Sequence, residues 1–355
     1  MKHSSYHVAV IGAASLLGKE LLTVLEERKF PIAELMTVSG EPGEPDLPIL
    51  DLDRRRRAPL DYQEEIPADF DFAFVAAPHQ QLDTWLERTR RQRADSRRPL
   101  RAVIDLSSSI PTGAATTLRV PFLDGPSPAA QEPHEDKVLR MITAPHAGTI
   151  MISALLVRLA ARFPVRNAVA QIFSPASEVG PRAIDELQKQ TVNLLSFQKV
   201  PRESFGSQIA FNLLPRLGAG YERIDALESH VRDQLKAYLG SELPVPALRL
   251  FQVPVFYSTA LSLFLETEER VPPSDLVAAL DGAPIVIRRV SEKPPSPVDA
   301  AGSSDILVDA IQPDAAHPAG FWLWAVADNM RLAAVNAVQI AEGLHHQSQP
   351  LHLIR

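Results

Sequence analysis

The first 145 residues alternate short apolar runs with helical patterns, and this alternation constrains the fold more than any other feature of the sequence. Apolar runs predict strands at 7–11, 34–38, 70–77, 102–106 and 141–144. Leucines at helical spacing after Gly18, and the segment 82–93, predict helices between these strands. Such alternation is typical of α/β domains. We therefore expect a Rossmann-type, doubly wound parallel sheet here.

The second half of the chain combines long helices with longer strands. Helices are predicted at 149–163, 181–195, 223–239 and 330–344, and strands at 165–173, 248–257, 260–266, 284–290 and 321–326. Residues 292–304 are rich in Pro and Ser, which predicts a loop. We expect the strands to pair antiparallel in an α+β domain.

Composition excludes several classes of protein. The 355 residues include no cysteine, which rules out disulfides, iron–sulfur clusters and a thiolate nucleophile, and the histidines lack metal-ligand spacing. The net charge of −7 argues against nucleic-acid or anionic-membrane binding, although arginines cluster at 54–57 and 88–101. No apolar run reaches membrane-spanning length, and residues 8–17 lack a signal-peptide cleavage site. We therefore expect a cytoplasmic protein without a metal.

Gly12 and Gly18 flank the turn between the first predicted strand and the first predicted helix. Glycine at such a turn lets the backbone approach a pyrophosphate, which the helix N-terminus attracts. Ser15 stands where dinucleotide-binding turns usually have a further glycine. The motif alone fits either a dinucleotide site or a plain strand–helix turn.

Residues 144–149 join a predicted strand to the long helix of the second half. A helix N-terminus stabilises an anion or a thiolate. Ala147, however, offers no nucleophile there. We expect His146 and Thr149 to serve as capping and packing residues.

Seven segments follow one another in a recognisable order along the chain. They are 8–31, 104–109, 174–180, 209–215, 253–255, 327–331 and 334–342. Together they resemble the aspartate-semialdehyde dehydrogenase family nearly from end to end. The resemblance implies a dinucleotide-binding domain at 1–144 plus 327–355. It also implies an inserted dimerisation and substrate domain at 145–326, and a homodimer.

The reaction that the resemblance implies is the oxidation of a semialdehyde to an acyl phosphate with NADP, through a cysteine thiolate that attacks the aldehyde. In this sequence the positions that resemble the family's functional residues have lost their chemistry. The nucleophile falls at Ala147 and the assisting glutamine at Ser174. The remaining arginine, histidine, arginine and lysine positions fall at Tyr257, Thr259, Pro111 and Ala226. No catalytic residue is therefore expected.

The cofactor side of the resemblance is better preserved. It implies dinucleotide contacts from Gly12, Ala13, Ser15, Leu16, Leu17, Gly18, Ser39, Ala76, Ala77, Ser177 and Asn329. The arginine for the 2′-phosphate falls at Gly40, and Glu41 beside it would repel a phosphate, so NAD is favoured over NADP. The asparagine near the nicotinamide becomes Leu106.

Three functional hypotheses remain open from the sequence. The first is an inactive homologue that dimerises and still binds a dinucleotide or a protein partner. The second is an NAD-dependent oxidoreductase whose altered chemistry needs no thiolate. The third is a binding or scaffold protein that has lost the dinucleotide as well.

Overall fold

Two separate sheets organise the chain. The computed structural model describes residues 5–38, 66–67, 69–92, 100–107, 116–124, 139–215 and 223–347. The chain divides into one unit of Met1–Pro145 with Ala333–Arg355 and a second unit of His146–Leu332. This division falls within the terminal helix, six residues after the boundary that we placed before residue 327.

The first unit is built on a six-stranded parallel sheet. Its elements are β1 (Tyr6–Ile11), α1 (Leu16–Glu27), β2 (Ile32–Val38), β3 (Phe72–Val75), α2 (Leu82–Gln92), β4 (Ala102–Asp105), β5 (Thr116–Leu118), α3 (Pro121–Asp124) and β6 (Arg140–Thr143). The order in the sheet is β2-β1-β3-β4-β6-β5. The chain leaves β1 for β2 on one side and returns to β3 on the other. This reversal opens a crevice at the carboxyl ends of β1 and β3, and it confirms the doubly wound sheet.

Both faces of this sheet are buried, which explains why its strands read as continuous apolar runs. Val8 and Val10 of β1 pack with the leucines of α1 on one face, where Ala337 and Val338 of the terminal helix join the same cluster. Ala9 and Ile11 pack on the other face with residues of α2, including the buried Trp85.

The second unit carries a seven-stranded mixed sheet, in the order β10-β11-β13-β9-β7-β8 with β12 beside β13. Its elements are α4 (Ala147–Ala160), β7 (Val165–Ser174), α5 (Ala176–Val179), α6 (Pro181–Leu195), α7 (Arg223–Leu239), β8 (Ala247–Gln252), β9 (Thr259–Thr267), α8 (Pro273–Leu280), β10 (Ile285–Ile287), α9 (Pro297–Ala300), β11 (Ile306–Val308), β12 (Gln312–Pro313) and β13 (Gly320–Ala327). The terminal helix is α10 (Asn329–Gln347).

Two expectations for this unit were wrong in part. The strands are not all antiparallel, because β7–β8 and β10–β11 pair parallel across long connections that contain helices. The expected loop at 292–304 contains α9, which begins at Pro297 and is stabilised by a capping box between Ser296 and Asp299.

No helix in the described ranges combines the length and the apolar character needed to cross a membrane.

Candidate functional site

The turn after β1 requires glycine at both of its ends. Gly12 has a φ of +74°, and a Cβ built there would lie 2.4 Å from the Cβ of Ala77. A Cβ on Gly18 would lie 2.2 Å from the carbonyl oxygen of Gly12. Both distances are far below van der Waals contact. The backbone is therefore packed too closely at Gly12 and at Gly18 to leave room for a side chain.

Ser15 stabilises this turn and caps α1. Its Oγ accepts a hydrogen bond from Gly18 N at 3.0 Å and donates one to Gly12 O at 2.8 Å. The first turn of α1 holds no acidic residue, so its N-terminal amides present an uncompensated positive end. A glycine cradle beside a helix N-terminus at the crevice of a doubly wound sheet fits the pyrophosphate of a dinucleotide.

The other predicted cofactor positions of the first unit have different surroundings. Ala13 and Ala76 are buried, whereas Leu16, Leu17 and Ala77 are partly exposed. Leu106 is buried after β4, and its amide donates to Val75 O. Ser39, Gly40, Glu41 and Pro111 lie outside the described residues.

In the second unit, a buried polar network surrounds the start of α4. His146 caps this helix, because in the neutral ring its Nδ1 accepts a hydrogen bond from Gly148 N at 3.0 Å. Its Nε2 lies 2.9 Å from Glu178 Oε1. Gln234 Oε1, from α7, accepts from both His146 N at 2.9 Å and Thr149 Oγ1 at 2.8 Å. These contacts confirm the capping role of His146 and the packing role of Thr149.

The ionisation of this network follows from burial and charge. Burial lowers the pKa of His146, but the charge and hydrogen bond of Glu178 outweigh it, so the net shift is upward. Burial raises the pKa of Glu178, and the opposing contacts with His146 and Asn329 bring it below the ordinary value. The pKa of His230 is lowered by burial and by the charge of His146. The neutral ring of His230 can therefore accept, through Nε2, the hydrogen bond that Gln234 Nε2 donates at 2.7 Å.

The carboxylate of Glu178 extends the network to the start of α10. Asn329 Nδ2 donates to Glu178 Oε2 at 3.0 Å, and Asn329 Oδ1 accepts from Ser177 Oγ and Ser258 N at 3.3 Å and 3.2 Å. Ser177 and Asn329 were predicted as cofactor contacts. Both are buried and bonded to each other, so their side chains face partners within this unit.

The positions that resemble the family's catalytic residues converge at one edge of the second sheet. Ser174 ends β7 and Thr259 begins β9, and these strands pair through Phe173 and Ala260. Gly148, next to Ala147, approaches Ile172 of β7 so closely that a Cβ there would lie 2.8 Å from its Cδ1. Ala147, Ser174 and Thr259 are all buried.

Two further positions stand apart from this buried edge. Tyr257 is 41% exposed, and Ala226 is exposed on α7. The pKa of Tyr257 is raised by burial and by the charges of Asp328 and Asp185. Its hydroxyl is therefore protonated at neutral pH.

Among the described residues around the start of α4, no hydroxyl has a basic side chain as its hydrogen-bond partner. Thr149 Oγ1 donates to an amide oxygen, which is not a base. Both ring nitrogens of His146 are engaged, one by a backbone amide and one by Glu178. Among the described residues, no cluster of three or more His, Cys, Asp or Glu could hold a metal ion.

Sequence reasoning missed Glu178, Gln234 and His230. Glu178 lies inside the segment 174–180 that contributed to the resemblance, but its partner His146 is 32 residues away. Gln234 and His230 lie on one face of α7 at a spacing of four residues. That pattern is equally typical of a solvated helix face, so only the tertiary contacts identify them.

Comparison with known proteins matches both units. The family described as "Semialdehyde dehydrogenase, NAD binding domain" matches residues 7–122. The family described as "Semialdehyde dehydrogenase, dimerisation domain" matches residues 156–332.

Similar proteins span nearly the whole chain. An aspartate-semialdehyde dehydrogenase of Aquifex aeolicus is 28% identical over 345 residues, covering 95% of this chain and 97% of the relative. A USG-1 protein homolog of Pseudomonas aeruginosa is 29% identical over 348 residues, covering 95% and 96%. The crystal structure of aspartate semialdehyde dehydrogenase II from Vibrio cholerae superimposes with a TM-score of 0.84 at 26% identity, covering 98% of this chain and 100% of that one. The chain therefore belongs to the aspartate-semialdehyde dehydrogenase family.

Proposed function

We propose that this chain is a family member that retains the dinucleotide-binding turn and the dimerisation domain but does not oxidise a semialdehyde through a thiolate. One observation carries the proposal. The first residue of α4, where the family resemblance places the nucleophile, is the buried Ala147, and the chain has no cysteine anywhere. A methyl group can neither attack an aldehyde nor carry an acyl intermediate.

The neighbours of Ala147 support this proposal because none can replace the thiolate. A hydroxyl nucleophile needs an adjacent base with a free lone pair. His146, the nearest candidate base, uses its Nδ1 lone pair for the Gly148 amide and directs Nε2 at Glu178. The hydroxyls of Ser258 and Thr259 are buried without a hydrogen-bond partner, so no base touches them.

The partly exposed part of the site also lacks the group that would bind the substrate. A substrate carboxylate would be held by arginine in the family, and this chain has Tyr257 at that position. The charges that act on Tyr257 come from Asp328 and Asp185, and they would repel an anionic substrate.

We propose NAD as the dinucleotide. The amides at the start of α1 and the cradle of Gly12 and Gly18 would hold its pyrophosphate. When bound, the nicotinamide accepts or gives a hydride. Gly40 and Glu41 offer no positive group for the 2′-phosphate of NADP.

We also propose that the chain forms a homodimer through the region that matches the dimerisation domain. A two-fold assembly of identical subunits is the commonest form of soluble oligomer.

Two measurements test the proposed function. Steady-state oxidation of aspartate semialdehyde with phosphate and either dinucleotide should stay at background, while a cysteine-bearing family member assayed beside it turns over. Calorimetric titration should give tighter binding of NAD than of NADP. Turnover near that of the cysteine-bearing enzyme would contradict the inactivity. Tighter NADP binding would contradict the cofactor assignment.

A further inference from the structure

Two hydroxyl groups at the start of β9 are buried without a partner. Ser258 and Thr259 are each 1% exposed. Among the described residues, neither Ser258 Oγ nor Thr259 Oγ1 has a hydrogen-bond partner. Buried polar groups of folded proteins are almost always bonded to protein, to ordered water or to a ligand. Two unbonded hydroxyls on consecutive residues therefore indicate a polar partner from outside the chain.

The backbone conformation of Ser258 adds a second cost at the same place. Its φ is +72°, in the left-handed region that favours glycine. This conformation is fixed by Ser258 N, which donates to Asn329 Oδ1 at 3.2 Å, and by Phe256 O, which accepts from Ser177 N at 2.9 Å. Glycine would relieve both the backbone strain and the unbonded hydroxyl. Because strained residues concentrate at ligand sites, the strain favours a binding function for the serine.

The chain reaches the surface directly before these buried hydroxyls. We call residues 256–259 the β9 entry segment. Phe256 and Tyr257 of this segment are 42% and 41% exposed. The charges that act on the Tyr257 phenol, from Asp328 and Asp185, are both negative. Aromatic rings and carboxylates both attract a positively charged group, so the surroundings of the hydroxyls favour a cation over an anion.

The partners of the two aspartates leave their negative charge in place. Asp328 Oδ2 accepts from Gly302 N at 2.8 Å and its Oδ1 accepts from Arg331 N at 3.1 Å, and both donors are neutral amides. The side chain of Arg331 donates from Nε to Ser304 Oγ at 3.2 Å. Asp185 is exposed on α6. Both carboxylates therefore act on Tyr257 as negative charges.

We infer that the β9 entry segment binds a small organic molecule through a primary ammonium group, with the hydroxyl oxygens of Ser258 and Thr259 as acceptors. This inference rests on the proposed function, in which Tyr257 no longer holds a substrate carboxylate, and it names the class of ligand for the same site. An ammonium group has three donors and no acceptor, so hydroxyl oxygens can satisfy it. A carboxylate at this place would be repelled by the two aspartates.

Ligand-observed NMR titration of the full chain tests the inference with three four-carbon probes that differ in charge. The probes are n-butylammonium, butan-1-ol and butanoate. We expect n-butylammonium to bind about tenfold more tightly than butanoate, with butan-1-ol between them, because the nearby carboxylates attract the first and repel the last.

Three variants separate a ligand contact from a purely structural role. Ser258→Gly should weaken n-butylammonium binding by about fivefold, because a hydrogen bond is lost. The same variant should raise Tm by roughly 2–5 °C, because the backbone strain is relieved. Thr259→Val removes the second hydroxyl, keeps the side-chain shape and should weaken binding by a similar factor. Lys29→Gly is the matched control and should leave binding unchanged, because Lys29 also has a left-handed φ, of +54°, but lies exposed after α1.

Three results would overturn the inference. The first is butanoate binding as tightly as n-butylammonium. The second is n-butylammonium binding that is unchanged in both Ser258→Gly and Thr259→Val. The third is a wild type that binds no n-butylammonium up to tens of millimolar. None of them contradicts the proposed function, which is contradicted separately if the wild type oxidises aspartate semialdehyde.

Discussion

Substitution of Gly12 by alanine tests whether the turn after β1 is built for close backbone approach. The left-handed φ of +74° costs an alanine about 1–2 kcal/mol. The new Cβ would lie 2.4 Å from the Cβ of Ala77, so the two segments must separate by about 1 Å to reach normal contact. That movement stretches the hydrogen bond from Gly12 N to Val38 O, now 2.9 Å long, at a cost of about 1 kcal/mol.

The sum is a loss of about 2–3 kcal/mol in the free energy of unfolding of the first unit. For a domain of this size it corresponds to a fall in Tm of roughly 4–12 °C. Calorimetric or near-ultraviolet melting of the purified chain measures it. Gly343→Ala is the matched control, because that glycine lies in α10 with nothing within 4 Å of its built Cβ. It should gain up to about 1 kcal/mol. A Gly12→Ala variant that melts at or above the wild-type temperature would show that the turn tolerates a side chain at this position.

Two further predictions concern the second unit. Ala147→Cys alone should stay inactive, because catalytic groups act as a unit, although its thiol should be acidified at the start of α4. Recovery should need Thr259→His and Tyr257→Arg as well, and turnover by the single variant near that of a cysteine-bearing enzyme would contradict this. Glu178→Gln should lower the free energy of unfolding by about 1–3 kcal/mol, since it leaves the buried His146 without its charged partner. Because the pKa of Glu178 is lowered, its contribution to the free energy of unfolding is lost as the pH falls below the ordinary value of 4.5. Because the pKa of His146 is raised, its contribution is lost as the pH rises above the ordinary value of 6.5. The loss, measured by urea unfolding, should therefore be largest between these values, and a pH-independent difference would argue against the ion pair.

The sequence predicts the first sheet well because buried parallel strands are continuous apolar runs between clear turns. It also predicts α6 at Pro181–Leu195 and α7 at Arg223–Leu239, where amphipathic spacing is sustained over several turns. It misses β5, since Thr116–Leu118 is short and only half-buried. Residues 253–257, predicted as strand, are irregular, because Val255 O and Phe256 O accept hydrogen bonds from the residues of α5.

The sequence alone shows what the candidate site lacks and the capping role of His146, but not the polar network that surrounds it. The absence of cysteine and the replacement at Ala147 are visible in the residues alone. The network of His146, Glu178, Gln234 and Asn329 joins four elements that are distant in sequence. In the sequence, each of these polar residues is equally typical of a helix cap or an exposed position. Only the fold brings them together as one buried hydrogen-bond network.

We expect that no covalent acyl intermediate forms on this chain. A rapid-mixing experiment with aspartate semialdehyde and NAD or NADP, without phosphate, tests it most directly, because a thiolate enzyme then produces one equivalent of reduced dinucleotide and stops at the acyl enzyme. A cysteine-bearing family member, mixed in parallel, supplies the positive control. We expect no burst of absorbance and no added mass on the intact protein. A burst that approaches one equivalent per chain, with a matching acyl adduct in the mass spectrum, would contradict it.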